Sequence, residues 1–237
     1  MRALYEKKKL AFALLWIAVY VVGFSLADAA SSALNVAGCV TAPVGGLLAA
    51  FLFFWVRQNR LYGFLGLCRP VSFDWRAAVP LALISTVNFW NGIAWRGPAL
   101  ETVLTVVSMC FVGFLEEVIF RGFLFRALEQ EGSLPGAVAV SSLTFGLGHL
   151  VNLLNGAQVL PTLLQLGYAA AVGYLFTVVL LRSKSLWPGI AAHAFINATS
   201  VFAVEAGSGY KVAASVVLMA VAAGAGTLLF RDFRRKT

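Results

Sequence analysis

Residues 111–125 read FVGFLEEVIFRGFLF, a stretch in which the charged side chains Glu116, Glu117 and Arg121 interrupt an otherwise apolar run. The chain around it is 60% hydrophobic and 12% charged, with a mean hydropathy of +0.86. Such values are typical of a protein that lies in a lipid bilayer, and they exclude an ordinary soluble domain. A charged side chain near the bilayer centre costs about 2.5–3.5 kcal/mol, so three charges within one short stretch indicate a functional site.

Long uncharged runs recur along the whole chain, and they predict an all-α, polytopic membrane protein with about eight transmembrane helices. We expect one integral-membrane domain over residues 1–237, because no linker, low-complexity tract or convincing repeat separates the runs. The predicted spans cover residues 10–27, 35–56, 77–95, 100–120, 135–153, 159–181, 187–205 and 212–230.

The net charge of +8 is unevenly distributed among the connecting segments. If the N-terminus is cytoplasmic, sixteen Lys and Arg residues fall on the cytoplasmic side of the predicted spans, and Arg96 and Lys211 fall on the other side. The positive-inside rule explains this partition with both termini in the cytoplasm. We therefore expect the charge to set the topology and to attract anionic lipid, and we expect no nucleic-acid partner.

Residues 1–30 have two interpretations, since Lys7–Lys9 precede an apolar run and a group of small residues, as in a cleaved signal peptide. The apolar run of about eighteen residues is long for a signal peptide and suits a first transmembrane helix. We favour the retained helix.

The chain contains two histidines, His149 and His193, and both lie within predicted spans. Asn197 follows His193 by four residues, so the two share one helix face. Glu116 lies sixteen residues before the turn at Gly132 and His149 lies seventeen after it, which puts both about 24–26 Å from the turn. The sequence therefore predicts that these groups meet in the cytoplasmic half of the membrane, beside a large cytoplasm-facing cavity bounded by spans four, five and seven.

The two adjacent carboxylates are expected to point in different directions. Glu117 and Arg121 are one helical turn apart and can pair, whereas Glu116 points about 100° away and is free to face another helix. The Glu117–Arg121 pair is either a purely structural clasp or a source of the electric field at Glu116. Single histidines in membrane helices also serve more often as interhelical hydrogen-bonding groups than as catalysts.

Together, however, these groups have the chemistry of a hydrolase. Glu116 with His149 is predicted to deprotonate a water and later to pass the proton to a leaving amine. His193 and Asn197 are predicted to donate hydrogen bonds to the tetrahedral oxyanion.

Three short motifs follow one another on successive predicted helices: Glu116-Glu117-x-x-x-Arg121, Phe145-x-x-x-His149 and His193-x-x-x-Asn197. In this order they resemble the CAAX protease and bacteriocin-processing family of intramembrane endopeptidases, which includes the type II CAAX prenyl proteases. The resemblance covers residues 100–205, the motif-bearing core. It implies an eight-helix fold, a cytoplasm-facing site and a membrane-associated peptide or protein substrate, with or without a lipid, and we expect a prokaryotic plasma membrane. By the same resemblance, Glu116 and His149 activate water, and His193 and Asn197 form the oxyanion hole.

The sequence leaves several alternatives open. A zinc-dependent protease could use Glu116, His149 and His193 as ligands, although the His-Glu-x-x-His pattern is absent from the sequence, and we favour a mechanism without a cofactor. A proton-coupled transporter also buries Glu, His and Arg, but it often shows inverted repeats. A non-catalytic scaffold or bacteriocin-immunity protein is the third alternative.

Overall fold

The computed structural model describes residues 1–95 and 97–236, and it confirms an all-helical chain. Within these residues the only β contact is an isolated bridge between Ile93 and Ala203. The α-helices are α1 Arg2–Lys7, α2 Lys9–Ala33, α3 Thr41–Gln58, α4 Tyr62–Leu65, α5 Trp75–Ser85, α6 Ala99–Glu116, α7 Arg126–Glu131, α8 Leu134–Gly148, α9 Val151–Leu154, α10 Val159–Ser183, α11 Trp187–Thr199 and α12 Ser208–Arg234. A π-helix covers Glu117–Phe125, and 3₁₀ turns cover Val87–Phe89 and Ser200–Phe202.

Six helical segments are long and apolar enough to cross a membrane: Lys9–Ala33, Thr41–Gln58, Ala99–Glu131, Leu134–Leu154, Val159–Ser183 and Ser208–Arg234. They correspond to six of the eight predicted spans. The chain is therefore a polytopic membrane protein, as the hydropathy of the sequence predicts.

The third and seventh predicted spans are shorter than expected, because α5 has 11 residues and α11 has 13. At 1.5 Å per residue they are about 17 and 20 Å long, whereas the hydrocarbon core is about 30 Å thick. Pro80 lies inside α5, where it removes one backbone hydrogen bond. Each short helix is followed by a 3₁₀ turn. Within residues 1–95 and 97–236, six long helices and two short ones therefore take the place of the eight expected spans.

The connecting segments lie at two opposite faces of the helical bundle. We call the face that carries both termini the terminal face, and the opposite one the far face. The terminal face comprises residues 1–8, 59–74, 132–133, 184–186 and 235–236, and the far face comprises 34–40, 86–95, 97–98, 149–158 and 200–207. Backbone hydrogen bonds join segments within each face, as from Val71 N to Ser183 O at 2.8 Å and from Ala94 N to Phe202 O at 2.9 Å. Arg96, predicted on the far side, lies outside the described residues.

The helix that carries the two glutamates is continuous from α6 through the π-helix into α7. All nine residues of the π-helix are buried. The i→i+5 bonding of a π-helix is rare and is frequently found at functional sites. The predicted fourth span, by contrast, assumed an ordinary α-helix that ended at residue 120.

Aromatic rings fill the bundle between the π-helix and the terminal face. The ring of Phe12 stacks on Trp55 at a centroid distance of 5.0 Å, and it makes edge contacts with Phe123 at 5.1 Å and Tyr5 at 5.2 Å. All four side chains are buried, Phe12 completely. We call these residues the aromatic cluster, and they close the terminal side of this part of the bundle.

Candidate active site

A cavity of about 850 Å³ lies inside the bundle, and the four residues predicted to be catalytic all line it: Glu116, His149, His193 and Asn197. They come from α6, the C-terminal end of α8 and α11, which correspond to predicted spans four, five and seven. Residues of α2, α5, α10 and α12 also line the cavity, so its wall is built from more helices than the sequence suggested. The structure therefore brings together side chains that are up to 81 residues apart in the sequence.

The distance between α6 and α11 depends on a glycine one turn before the glutamates. A Cβ atom added to Gly113 would lie 2.6 Å from the backbone nitrogen of Ala194 and 2.7 Å from its Cα. Real Cβ atoms do not approach backbone this closely, so only glycine fits at this crossing. Because Ala194 follows His193 directly, the crossing sets the position of His193 against the two glutamates.

Glu117 and Arg121 form the predicted ion pair, with 2.9 Å between Oε1 and Nη1, and both side chains are almost completely buried. The same Oε1 atom lies 3.0 Å from Nδ1 of His193. The guanidinium group also lies over the ring of Phe145, 4.1 Å from its centroid. Its Nη2 atom occupies the space beside Gly173 that a Cβ would fill, at 2.6 Å. The pair is therefore more than an intrahelical clasp, since it holds the ring of His193 on another helix.

Glu116 makes its contacts with α2 and α11. The hydroxyl of Tyr20 donates a hydrogen bond to Oε1 at 2.7 Å, and Oε2 lies 3.3 Å from Nε2 of His193. The Glu116 side chain is 13% exposed, so it borders the cavity instead of lying in the core. Tyr20 was not predicted, because a single hydroxyl 96 residues earlier has no spacing that links it to the motif.

The ring of His193 lies between the two carboxylates. Its Nδ1 faces Glu117 and its Nε2 faces Glu116, at the distances just given. A neutral imidazole donates from one nitrogen only, and ionised carboxylates only accept. Because Oε1 of Glu117 accepts a hydrogen bond from Arg121 Nη1, Nδ1 of His193 donates to the same oxygen. Nε2 of a neutral ring then has no hydrogen to donate. A hydrogen bond between Nε2 and Glu116 therefore requires one further proton, which these two groups share.

His149 has one ring nitrogen engaged and the other available to the cavity. Its Nδ1 atom lies 3.1 Å from the carbonyl oxygen of Phe145, one turn earlier in α8. A carbonyl oxygen only accepts, so Nδ1 carries the hydrogen and Nε2 of the neutral ring has a free lone pair. The Phe145 ring touches both histidines, with centroid distances of 5.3 Å to His149 and 5.6 Å to His193. His149 is therefore oriented as a proton acceptor, which is the state that a general base requires.

Asn197 lies on the same face of α11 as His193, and within the described residues no hydrogen bond engages its amide group. The end of α11 is held by Asn88, whose amide donates to Ile196 O and to Thr199 Oγ1. Asn88 was not predicted, since it lies in the 3₁₀ turn after α5 and no spacing along the chain links it to the motifs. Its role in the structure is to satisfy a helix-terminal carbonyl group beside the cavity.

The zinc alternative depends on how the donor groups are arranged. Within residues 1–95 and 97–236, no group of three or more His, Cys, Asp and Glu side chains is arranged to hold a metal ion. The alternative ligands Glu116, His149 and His193 line one cavity, but their contacts are with Tyr20, with each other, with Glu117 and with the backbone.

Fold and site together define a polytopic, all-helical membrane protein with a partly buried glutamate–histidine–asparagine site. Residues 98–199 match the family described as type II CAAX prenyl endopeptidase Rce1-like, which confirms the resemblance seen in the sequence. The matched residues nearly coincide with the motif-bearing core predicted at 100–205.

A similar protein is described as "Putative membrane peptidase YdiL" from Bacillus subtilis (strain 168), 30% identical over 95 residues. The alignment covers 40% of the present chain and 34% of that protein, so the chain spans about a third of the relative's length. No solved structure matches the chain significantly.

Proposed function

We propose that the protein is an intramembrane endopeptidase that hydrolyses peptide bonds of membrane-associated substrates. The observation that carries the proposal is the common cavity lined by Glu116, His149, His193 and Asn197. The family match of residues 98–199 supports the peptidase class. We further propose a prokaryotic plasma membrane as the location, in keeping with the Bacillus subtilis relative.

In the first step, Glu116 and His149 activate a water molecule in the cavity. The free Nε2 of His149 and the carboxylate of Glu116 act together as the base that removes one proton from the water. The water oxygen then attacks the carbonyl carbon of the peptide. Tyr20 fixes the direction of the carboxylate through its hydrogen bond to Oε1. Because Phe145 holds the His149 ring, the base does not need to reorient.

In the second step, the carbonyl oxygen becomes an oxyanion that needs hydrogen-bond donors. With the shared proton on Nε2, His193 supplies one donor and the amide of Asn197 the other, and each such donor contributes about 2.7–4 kcal/mol in an organised site. Glu117 and Arg121 hold the His193 ring in place for this contact. The intermediate then collapses, the C–N bond breaks, and the proton taken from water goes to the leaving nitrogen, which yields a carboxylic acid and an amine.

The test is cleavage of fluorogenic peptides, prenylated and plain, by the full chain purified in detergent. We expect cleavage that resists a zinc chelator, and a fall in kcat of at least about 100-fold in Glu116→Gln and in His149→Gln. Glu131→Gln is the matched control, because Glu131 is an exposed carboxylate at the terminal face, distant from the cavity. The comparison of prenylated with plain peptides defines whether a lipid on the substrate contributes.

Other results would support the alternatives. Cleavage abolished by the chelator and restored by zinc would replace the proposed mechanism with a zinc-dependent one. Peptide binding that persists in Glu116→Gln, without turnover by the unchanged chain, would favour a scaffold or an immunity protein. Proton flux through proteoliposomes without cleavage would favour the transporter.

A further inference from the structure

The cavity opens towards the far face of the bundle. Its floor is formed by Phe120, Phe145 and Phe176, which are 2–4% exposed, whereas its exposed lining residues include Asn91 and Asn155 in the far-face segments. Lining residues of α12 come from the half of that helix next to the far face, beginning with Tyr210 and Lys211. The catalytic groups lie near the floor, so a substrate reaches them from the far face.

The terminal side offers no comparable route in the described structure. The aromatic cluster of Tyr5, Phe12, Trp55 and Phe123 lies between the site and the terminal face. No residue of the terminal-face segments lines the cavity. The mouth forms instead where the two short helices, α5 and α11, end early. Irregular backbone is tolerated at this depth because it lines a polar cavity.

The basic residues are concentrated at the terminal face. Among the described residues, fifteen Lys and Arg side chains lie at that face or in the adjoining helix ends, Arg121 is buried at the site, and Lys211 lies beside the far face. Lys and Arg in short connecting segments are retained in the cytoplasm. The charge distribution therefore favours a cytoplasmic terminal face and a far face on the opposite side of the membrane. The expected cytoplasmic termini and the expected cytoplasm-facing cavity are thus mutually incompatible in this structure.

We propose that the site receives its substrate from the non-cytoplasmic side of the membrane. Given the peptidase activity proposed above, on which this inference rests, the substrate class is a peptide segment of a membrane-anchored or exported protein exposed at the outer leaflet. A prenylated C-terminus in the cytoplasm lies on the wrong side of the membrane for this mouth.

The chemistry of the cavity fits such a segment. Amide side chains lie near the mouth at Asn91, Asn152 and Asn155. Asn91 and Asn152 each donate one hydrogen bond, to Glu205 O and to Gln165 Oε1, and their remaining donors and acceptors, with those of Asn155, suit an extended peptide backbone. Deeper in the cavity, apolar side chains such as Ile84, Val112 and Leu218 suit apolar residues of the substrate. The cavity therefore matches an apolar peptide segment with a hydrogen-bonding backbone.

The test measures sidedness without relying on turnover. Asn155→Cys at the mouth and Glu131→Cys at the terminal face are each introduced into the full chain after Cys39, Cys68 and Cys110 are replaced by serine. Spheroplasts of a bacterial host are treated with a membrane-impermeant maleimide, before and after permeabilisation. We expect Asn155→Cys to react at least ten-fold more than Glu131→Cys in intact spheroplasts, and both to react after permeabilisation.

A second measurement uses the unchanged chain with green fluorescent protein fused to its C-terminus, in case the cysteine-free chain does not fold. Fluorescence, which requires folding in the cytoplasm, supports the proposal. A dark, full-length fusion, or Asn155→Cys that reacts only after permeabilisation, overturns it. Peptide cleavage measured in detergent distinguishes failure of the sidedness from failure of the proposed peptidase activity. Cleavage together with a mouth on the cytoplasmic side overturns the sidedness alone. A mouth on the outer side without any cleavage overturns the peptidase activity.

Discussion

Tyr20 contributes one atom to the site, the hydroxyl that donates to Glu116 at 2.7 Å. Tyr20→Phe keeps the ring, which packs on Phe24 at a centroid distance of 4.8 Å, and removes only this donor. A hydrogen bond to a charged group contributes about 1.5–3 kcal/mol, so we expect kcat to fall by roughly ten-fold or more with little change in KM. Steady-state kinetics on a fluorogenic peptide measure the effect.

The matched control for Tyr20→Phe is Tyr62→Phe. The hydroxyl of Tyr62 is buried and has no hydrogen-bond partner among the described residues, so its removal breaks no contact. We expect wild-type kinetics from this variant. Equal kcat in Tyr20→Phe and Tyr62→Phe would show that the contact with Glu116 does not position the carboxylate.

The two adjacent glutamates are expected to differ in what they stabilise. Glu117 neutralises Arg121, which is completely buried, so Glu117→Gln leaves an unpaired buried charge. Removing one partner of such a pair costs about 3–5 kcal/mol. We therefore expect Glu117→Gln to lower the melting temperature in detergent and to lose activity, whereas Glu116→Gln loses activity with a nearly unchanged melting temperature. Similar melting temperatures for the two variants would contradict this division.

Among the helices, the crossing of α6 and α11 has the smallest tolerance near the site. The methyl group of Gly113→Ala would overlap the backbone of Ala194, so α11 has to move and His193 moves with it. A displacement of about 1 Å at catalytic groups can cost about 100-fold in rate, and we expect a loss of that order. Circular dichroism should show unchanged helix content.

Gly122→Ala is the control for Gly113→Ala, because its methyl group would meet side chains at 3.7 Å or beyond, which is ordinary contact distance. It lies on the same continuous helix, in the π-helical part. We expect activity within a few-fold of wild type. If both glycine variants lose activity equally, the rate depends on the helix itself and not on its approach to α11.

The sequence predicts those elements whose signal is local. Uncharged runs locate the six long helices within a few residues at most boundaries, although the helix that begins at Ala99 runs on through the π-helix. The i, i+4 spacing correctly pairs Glu117 with Arg121 and puts His193 and Asn197 on one face. The π-helix has no such signal, because hydropathy does not distinguish i→i+4 from i→i+5 hydrogen bonding. The early ends of α5 and α11 have none either, because hydropathy does not distinguish a helix that crosses half of the membrane from one that crosses all of it. The contacts of Tyr20 and Asn88 arise from tertiary packing alone, so spacing along the chain does not reveal them.

On the scale of the whole molecule, the proposed sidedness of the site rests on two independent asymmetries. The charge asymmetry is readable from the sequence, because it depends only on where Lys and Arg fall between apolar runs. The asymmetry of the cavity cannot be read from the sequence. It results from two short helices at one end of the site and the aromatic cluster at the other. The sequence predicts a cytoplasm-facing cavity from the depth of the polar groups and from the resemblance, and neither carries information on the position of the mouth.

If the far-face mouth is the route of entry, a bulky group attached there should obstruct substrate without disturbing the catalytic residues. We expect Asn155→Cys, in the cysteine-free chain in detergent, to show a several-fold higher KM after reaction with a large maleimide, with kcat less affected. Detergent exposes both faces, so Glu131→Cys modified in the same way tests for non-specific effects and should retain its KM. A rise in KM for modified Glu131→Cys with no change for modified Asn155→Cys would place the entry at the terminal face, because there the bulky group would obstruct a route through the aromatic cluster.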